Sequence, residues 1–172
     1  MNYYLLRHEI NENDIYVNIE QQGSLELLSQ GKTPKISRTY YTGENITDYI
    51  SLGGFGISYK AMSFFKSECG EDLSFISTVI YRKDTDEPLP IYLTKVNQEI
   101  DCIDDEKSEL FMLSDKKVRR IKRLFFKNNI TENIFRVRGL KDRVFVSENL
   151  KNKMMNLGLK GFEFIPVEEF TF

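Results

Sequence analysis

Two runs, Phe75-Ile76-Ser77-Thr78-Val79-Ile80-Tyr81 and Pro90-Ile91-Tyr92-Leu93-Thr94-Lys95-Val96, constrain this chain most. Both are rich in β-branched and aromatic residues, which fit a pleated, half-buried surface. A polar loop with Asp84, Asp86 and Pro88 separates them, so they are predicted to be two strands. Ile15, Val17 and Ile19 alternate with Tyr16 and Asn18, the pattern of a strand with one buried face. Tyr3–Leu6 is expected to pair with that strand. Further short strands are expected at Ile36–Tyr41, Glu99–Ile103, Lys122–Phe126, Ile134–Val137 and Val144–Val146, with a closing strand around Phe162, Phe164 and Pro166-Val167.

Helices are fewer. Ile57, Ala61, Phe64 and Phe65 fall near helical spacing in Ile57–Cys69, and Gly70 follows, where the absence of a Cβ suits a left-handed cap. A second helix starts after Ser147, whose hydroxyl can accept from a free N–H of the first turn. Glu148 suits the positive end of the helix, Leu150, Met154 and Leu157 share a face, and Gly158 ends it. The expected class is α+β, with a mainly antiparallel or mixed sheet and a few amphipathic helices. A length of 172 residues with no repeat or linker is read as a single domain spanning 1–172. The apolar content of 41%, before glycine is counted, is enough for a packed core.

Chemistry is harder to find. His8 is the sole histidine, so a Ser-His-Asp triad or a multi-histidine metal site would have to use it, and nothing around it resembles a nucleophile motif. It is read as a surface or strand-edge histidine. Cys69 and Cys102 are too far apart for a C-x-x-C motif and are read as reduced packing residues. Gly53-Gly54-Phe55-Gly56 lacks both the last glycine of a dinucleotide fingerprint and the Gly-Lys-Ser/Thr of a P-loop, so a tight turn feeding a helix accounts for it better. No catalytic residue, cofactor site or metal site is assigned.

The net charge of −2 selects neither nucleic acid nor an anionic membrane, but its distribution is uneven. Glu99, Asp101, Asp104, Asp105, Glu106, Glu109 and Asp115 are opposed only by Lys107, and the segment 116–127 that follows carries Lys116, Lys117, Arg119, Arg120, Lys122, Arg123 and Lys127 with no acid. The acidic run lacks the D-x-D-x-D-G spacing of a calcium loop. It is either a solvated loop or a surface that meets a partner, with Asp101, Asp104, Asp105, Glu106 and Glu109 as the candidate contacts. The basic segment 116–127, with Phe125 and Phe126, offers an alternative as a nucleic-acid-binding element. Yet Val118, Ile121, Leu124 and Phe125 are spaced as core residues would be, and the chain has no basic excess.

Tyr92-Leu93-Thr94-Lys95-Val96 leading into Glu99-Ile100-Asp101-Cys102-Ile103-Asp104-Asp105-Glu106-Lys107-Ser108-Glu109 resembles the central signature of a bacterial immunity-protein family, the eleventh in catalogues of polymorphic toxin systems. Ile134–Val137, Val144–Lys151 and Leu157-Gly158-Leu159-Lys160-Gly161-Phe162-Glu163-Phe164-Ile165-Pro166-Val167 are similar to that family's ending, with Lys160 where threonine is usual before the glycine. The resemblance covers roughly residues 60–170, with a weaker match at Tyr3–Leu6. It implies a non-enzymatic antitoxin that binds a cognate toxin domain encoded by a neighbouring gene, the toxin often being delivered between bacteria by a contact-dependent or type VI route. The acidic run would suit a nuclease, whose substrate groove is positively charged. The N-terminal residues show no signal-peptide pattern and no run is long enough to span a membrane, so a cytoplasmic location without membrane contact is expected.

Overall fold

A computed structural model describes residues 2–18, 39–51, 54–114 and 117–171. They form thirteen strands and two α-helices in three sheets, an α+β architecture with mixed and antiparallel pairing. The chain divides into two compact units: Met1–Arg7 with Val96–Gly158 and Glu163–Phe172, and His8–Lys95 with Leu159–Phe162.

The first unit is built on a five-stranded sheet with the order β13-β1-β12-β11-β8. Its strands are β1 (Tyr3–His8), β8 (Glu99–Ile100), β11 (Ile134–Val137), β12 (Leu140–Ser147) and β13 (Phe162–Pro166). Register explains its core. Leu5 lies opposite Phe145 and Phe145 opposite Phe135, so one row across three strands carries three large side chains, each at most 2% exposed. The two rings are 6.1 Å apart, and Phe126 meets Phe145 edge-on at 5.1 Å. Such contacts add about 0.5–1.5 kcal/mol beyond burial. The antiparallel pair β9 (Glu109–Ser114) and β10 (Lys117–Arg123) contributes Val118 and Ile121 to the same core, and Leu124 follows. Helix α2 (Glu148–Asn156) begins where β12 ends. Ser147 Oγ accepts from Leu150 N, Leu150 and Met154 are buried, and Gly158 at φ 67° closes the helix.

The second unit holds a six-stranded mixed sheet, β2-β3-β6-β7-β5-β4. Here β2 is Tyr16–Asn18, β3 Tyr40–Thr42, β4 Tyr49–Ser51, β5 Phe55–Ile57, β6 Leu73–Arg82 and β7 Pro88–Val96. Ile15, Val17, Tyr41, Ile50, Ile80, Ile91 and Leu93 form its core. Helix α1 (Tyr59–Cys69) buries Ala61, Phe65 and Cys69, one residue per turn on one face. Ser58 caps it, so Ile57 ends strand β5 and lies outside the helix expected from Ile57 onward. No described helix is long and apolar enough to cross a membrane.

Several expected elements differ. Tyr3–Leu6 pairs with β12 and β13, not with the Ile15–Ile19 strand, because alternation fixes which face a strand buries and says nothing of its neighbour. The strand expected at Lys122–Phe126 lies earlier, at Lys117–Arg123, and the one expected at Glu99–Ile103 stops at Ile100. Ile19 and Ile36–Arg38 lie outside the described residues, as does Gly53. Gly54 precedes strand β5 and Gly56 is its middle residue, so the strand and the Ser58 cap stand between them and the helix.

Candidate partner-binding surface

The acidic run becomes an ordered turn on the first unit. Backbone bonds pin it at several points: Asp104 N to Phe125 O at 2.9 Å, Lys127 N to Cys102 O at 2.8 Å, and Ser108 N to Asp104 O at 2.9 Å. Ser108 Oγ closes the arrangement, accepting from Phe125 N at 2.9 Å. Charge opposition in sequence thus becomes adjacency in space, the acidic loop lying against the end of the basic segment.

The five candidate acids do different jobs. Asp104 is inside the turn: its carboxylate takes the Lys107 ammonium at 2.8 Å and the Lys107 N–H at 3.3 Å, and its side chain is only 17% exposed. The hydrogen bond from Lys107 holds its carboxyl below the usual carboxylate range and raises the lysine in turn. Asp101 lies 3.7 Å from Arg138, and neighbouring Glu99 lies 3.5 Å from Arg136, pairings set up by the parallel β8–β11 register. Glu109 sits opposite Arg123 across the β9–β10 pair. Asp105 and Glu106, at the crown of the turn, are exposed. The structure therefore brings all five onto one unit: Asp101, Asp105, Glu106 and Glu109 are exposed, Asp101 beside Arg138 and Glu109 opposite Arg123, while Asp104 is partly buried in the turn.

The basic segment is a strand and its continuation. Arg119, Arg120, Lys122 and Arg123 are exposed while Val118, Ile121 and Leu124 are buried. Phe126, half-buried, is committed to the core, with its ring near those of Tyr3, Phe135 and Phe145.

The sequence reading did not anticipate β9. Phe111, Met112 and Leu113 stand in the middle of it, 49%, 52% and 56% exposed. An apolar run between charge blocks reads as a buried strand, so only its position on a two-stranded sheet reveals it as surface.

The other candidates carry structural roles. His8 stacks on Tyr49 with ring centroids 4.9 Å apart, and among the described residues neither ring nitrogen finds a hydrogen-bond partner. Burial lowers its pKa, opposed by the nearby charge of Asp14. Cys69 and Cys102 are buried and reduced, and burial pushes the Cys102 thiol up to about 12, far from a reactive thiolate. A shallow depression in the second unit is lined by Tyr40, Lys83, Asp84, Thr85 and Asp86, and Asp84 there accepts from Arg82 at 3.2 Å. No cluster of three metal-ligating side chains occurs among the described residues.

What the first unit presents is an exterior of ordered charge and exposed apolar side chains on a β scaffold. The profile of the immunity protein family (Imm11) matches residues 7–169, and the chain belongs to that family. No curated protein matches it.

Proposed function

We propose that this protein is an antitoxin: it binds a cognate interbacterial toxin domain, encoded by a neighbouring gene, and neutralises it by covering its active surface. It works in the cytoplasm of the producing cell and transforms nothing itself. The observation that carries this reading is family membership over residues 7–169, nearly the full length. The exterior of the first unit supports it, since exposed carboxylates beside exposed cations give an inhibitor the means to steer encounter and fix orientation.

A nuclease is the toxin class the acidic turn suits, with Asp105, Glu106 and Glu109 standing where phosphates would enter a basic groove. The Asp104 carboxylate is engaged by Lys107 within the turn, which favours its neighbours for that role. The test is co-expression of the full chain with the toxin domain of the adjacent reading frame, scored by growth and by co-purification. Rescue and a stable complex are expected. The Asp105→Lys/Glu106→Lys variant should associate about tenfold more slowly with a basic partner at low salt, the gap closing as salt rises. Absence of both rescue and complex would sink the antitoxin reading; an unchanged on-rate would sink the nuclease-facing role of the turn alone.

A further inference from the structure

The outer face of the β9–β10 pair carries chemistry that neither the core nor the acidic turn uses. Phe111 and Leu113, two residues apart in β9, are 49% and 56% exposed, while Met112 between them lies opposite buried Val118 and belongs to the other face. Single exposed apolar side chains are ordinary, whereas contiguous ones mark interaction sites. Around them β10 sets its cations. Arg120 lies opposite Phe111 in register, and Lys122 Nζ stands 5.5 Å from the Phe111 ring centroid. Among the described residues Arg119, Arg120, Lys122 and Arg123 form no ion pair, although Arg136 and Arg138 nearby in sequence each take a carboxylate. Exposed aromatic and arginine side chains, an apolar centre with solvent-facing charge at the margin, are the composition of a protein interface.

We infer that this face is where the toxin docks, and that the toxin presents an apolar socket bordered by carboxylates. The inference rests on the antitoxin reading and gives it a surface. Charge selects the occupant: four exposed cations around an apolar centre call for acidic groups around an apolar recess. A second copy of this chain laid on the same face would set Arg119, Arg120, Lys122 and Arg123 against their own duplicates. A nucleic-acid backbone would meet Phe111 and Leu113 where it needs cations. Glu109, opposite Arg123, brings the acidic turn to one end of the same face, so Asp105 and Glu106 form its rim.

The experiment uses the full chain and the toxin domain of the adjacent reading frame, with three variants: Phe111→Ser/Leu113→Ser, Arg120→Glu/Lys122→Glu and Asp105→Lys/Glu106→Lys. All six positions are exposed, and thermal melting verifies that each variant is folded. The apolar variant should weaken the complex about 100-fold, two anchors each worth roughly tenfold. The cation variant should slow association about tenfold at low salt and much less at high salt. Wild-type affinity in both, with the wild-type chain binding and rescuing, would overturn this docking face and leave the antitoxin reading standing. Loss confined to the acid-turn variant would also overturn it. A wild-type chain that is dimeric alone, and monomeric with Phe111→Ser/Leu113→Ser, would assign the face to a second copy instead. A wild-type chain that neither binds nor rescues removes the antitoxin reading, and this inference with it.

Discussion

Ser147 is the residue on which the end of β12 and the start of α2 depend, and replacing it with alanine has a cost that the structure sets. The side chain is fully buried at 0% exposure and its hydroxyl makes two bonds, donating to Asn133 Oδ1 at 2.8 Å and accepting from Leu150 N at 3.2 Å. Removing a serine cap costs about 1 kcal/mol, which covers the stranded Leu150 N–H. The Asn133 oxygen, half-buried, then loses its donor, adding about 1 kcal/mol at the lower end of the range for an unsatisfied group. Ser147→Ala should therefore cost about 2 kcal/mol, or about 4–8 °C in melting temperature for a chain of this size. Thermal melts by far-UV circular dichroism measure the total, and hydrogen exchange at the Leu150 amide localises it. Asn133→Ala in the Ser147→Ala background removes the stranded acceptor, so the double variant should be about 1 kcal/mol better than the sum of the singles. A single-variant loss under about 0.5 kcal/mol, or strict additivity, would refute the assignment of both bonds.

The second unit makes two further tests possible. Gly43 has φ +96°, and a Cβ there would stand 2.4 Å from the backbone oxygen of Asp14, so Gly43→Ala should cost more than about 2 kcal/mol by urea denaturation. A neutral result would mean that Gly43 does not pack on Asp14 beside the bonds from Glu44 N and Asn45 N to Asn13 O, each 2.9 Å. For His8, burial lowers the folded pKa below 6.5, so as pH falls through 6.5 the unfolded chain takes up a proton that the folded chain resists. Stability is then present above pH 6.5 and is lost progressively below it. His8→Phe keeps a ring on Tyr49 and removes that titration, so the melting temperatures of variant and wild type should diverge between pH 6.5 and 5 in the variant's favour. Parallel curves over that window would refute the claim.

Local chemistry made some of this fold legible. Ser147, Glu148 and Gly158 mark the ends of α2 because capping involves residues three or four apart, and the α2 boundaries follow from them. At α1 the same rule was hidden: Ile57 is apolar and near helical spacing, but Ser58 is the cap, its Oγ accepting from Ala61 N at 3.1 Å and donating to Asp48 at 2.6 Å. Pairing was less readable. The partner of β1 is β12, far along the chain, and no alternation within Tyr3–Leu6 carries that information. In the acidic run, the Asp104–Lys107 pair is visible as an i,i+3 spacing. Arg136 beside Glu99 and Arg138 near Asp101 arise only when β8 and β11 come together in parallel. So the sequence exposed the charge of the turn without its internal neutralisation.

Strand β10 shows how an irregularity serves both core and surface. Val118, Ile121 and Leu124 are spaced by three, which suggests a helix, yet the backbone is a strand with register shifts between Val118 and Arg120 and between Ile121 and Arg123. A regular strand alternates faces, so Val118 would share its buried face with Arg120 and Lys122, and burying an unpaired cation is prohibitively costly. Each register shift admits one extra residue on the bulged strand and restores the next apolar side chain to the core. The same shifts leave adjacent cations exposed in twos, Arg119 with Arg120 and Lys122 with Arg123, a density that alternation cannot produce. The cations that crowd around Phe111 are therefore a consequence of how Val118 and Ile121 reach the core, and a shortened β10 lacking one bulge residue would have to surrender either its packing or its charge.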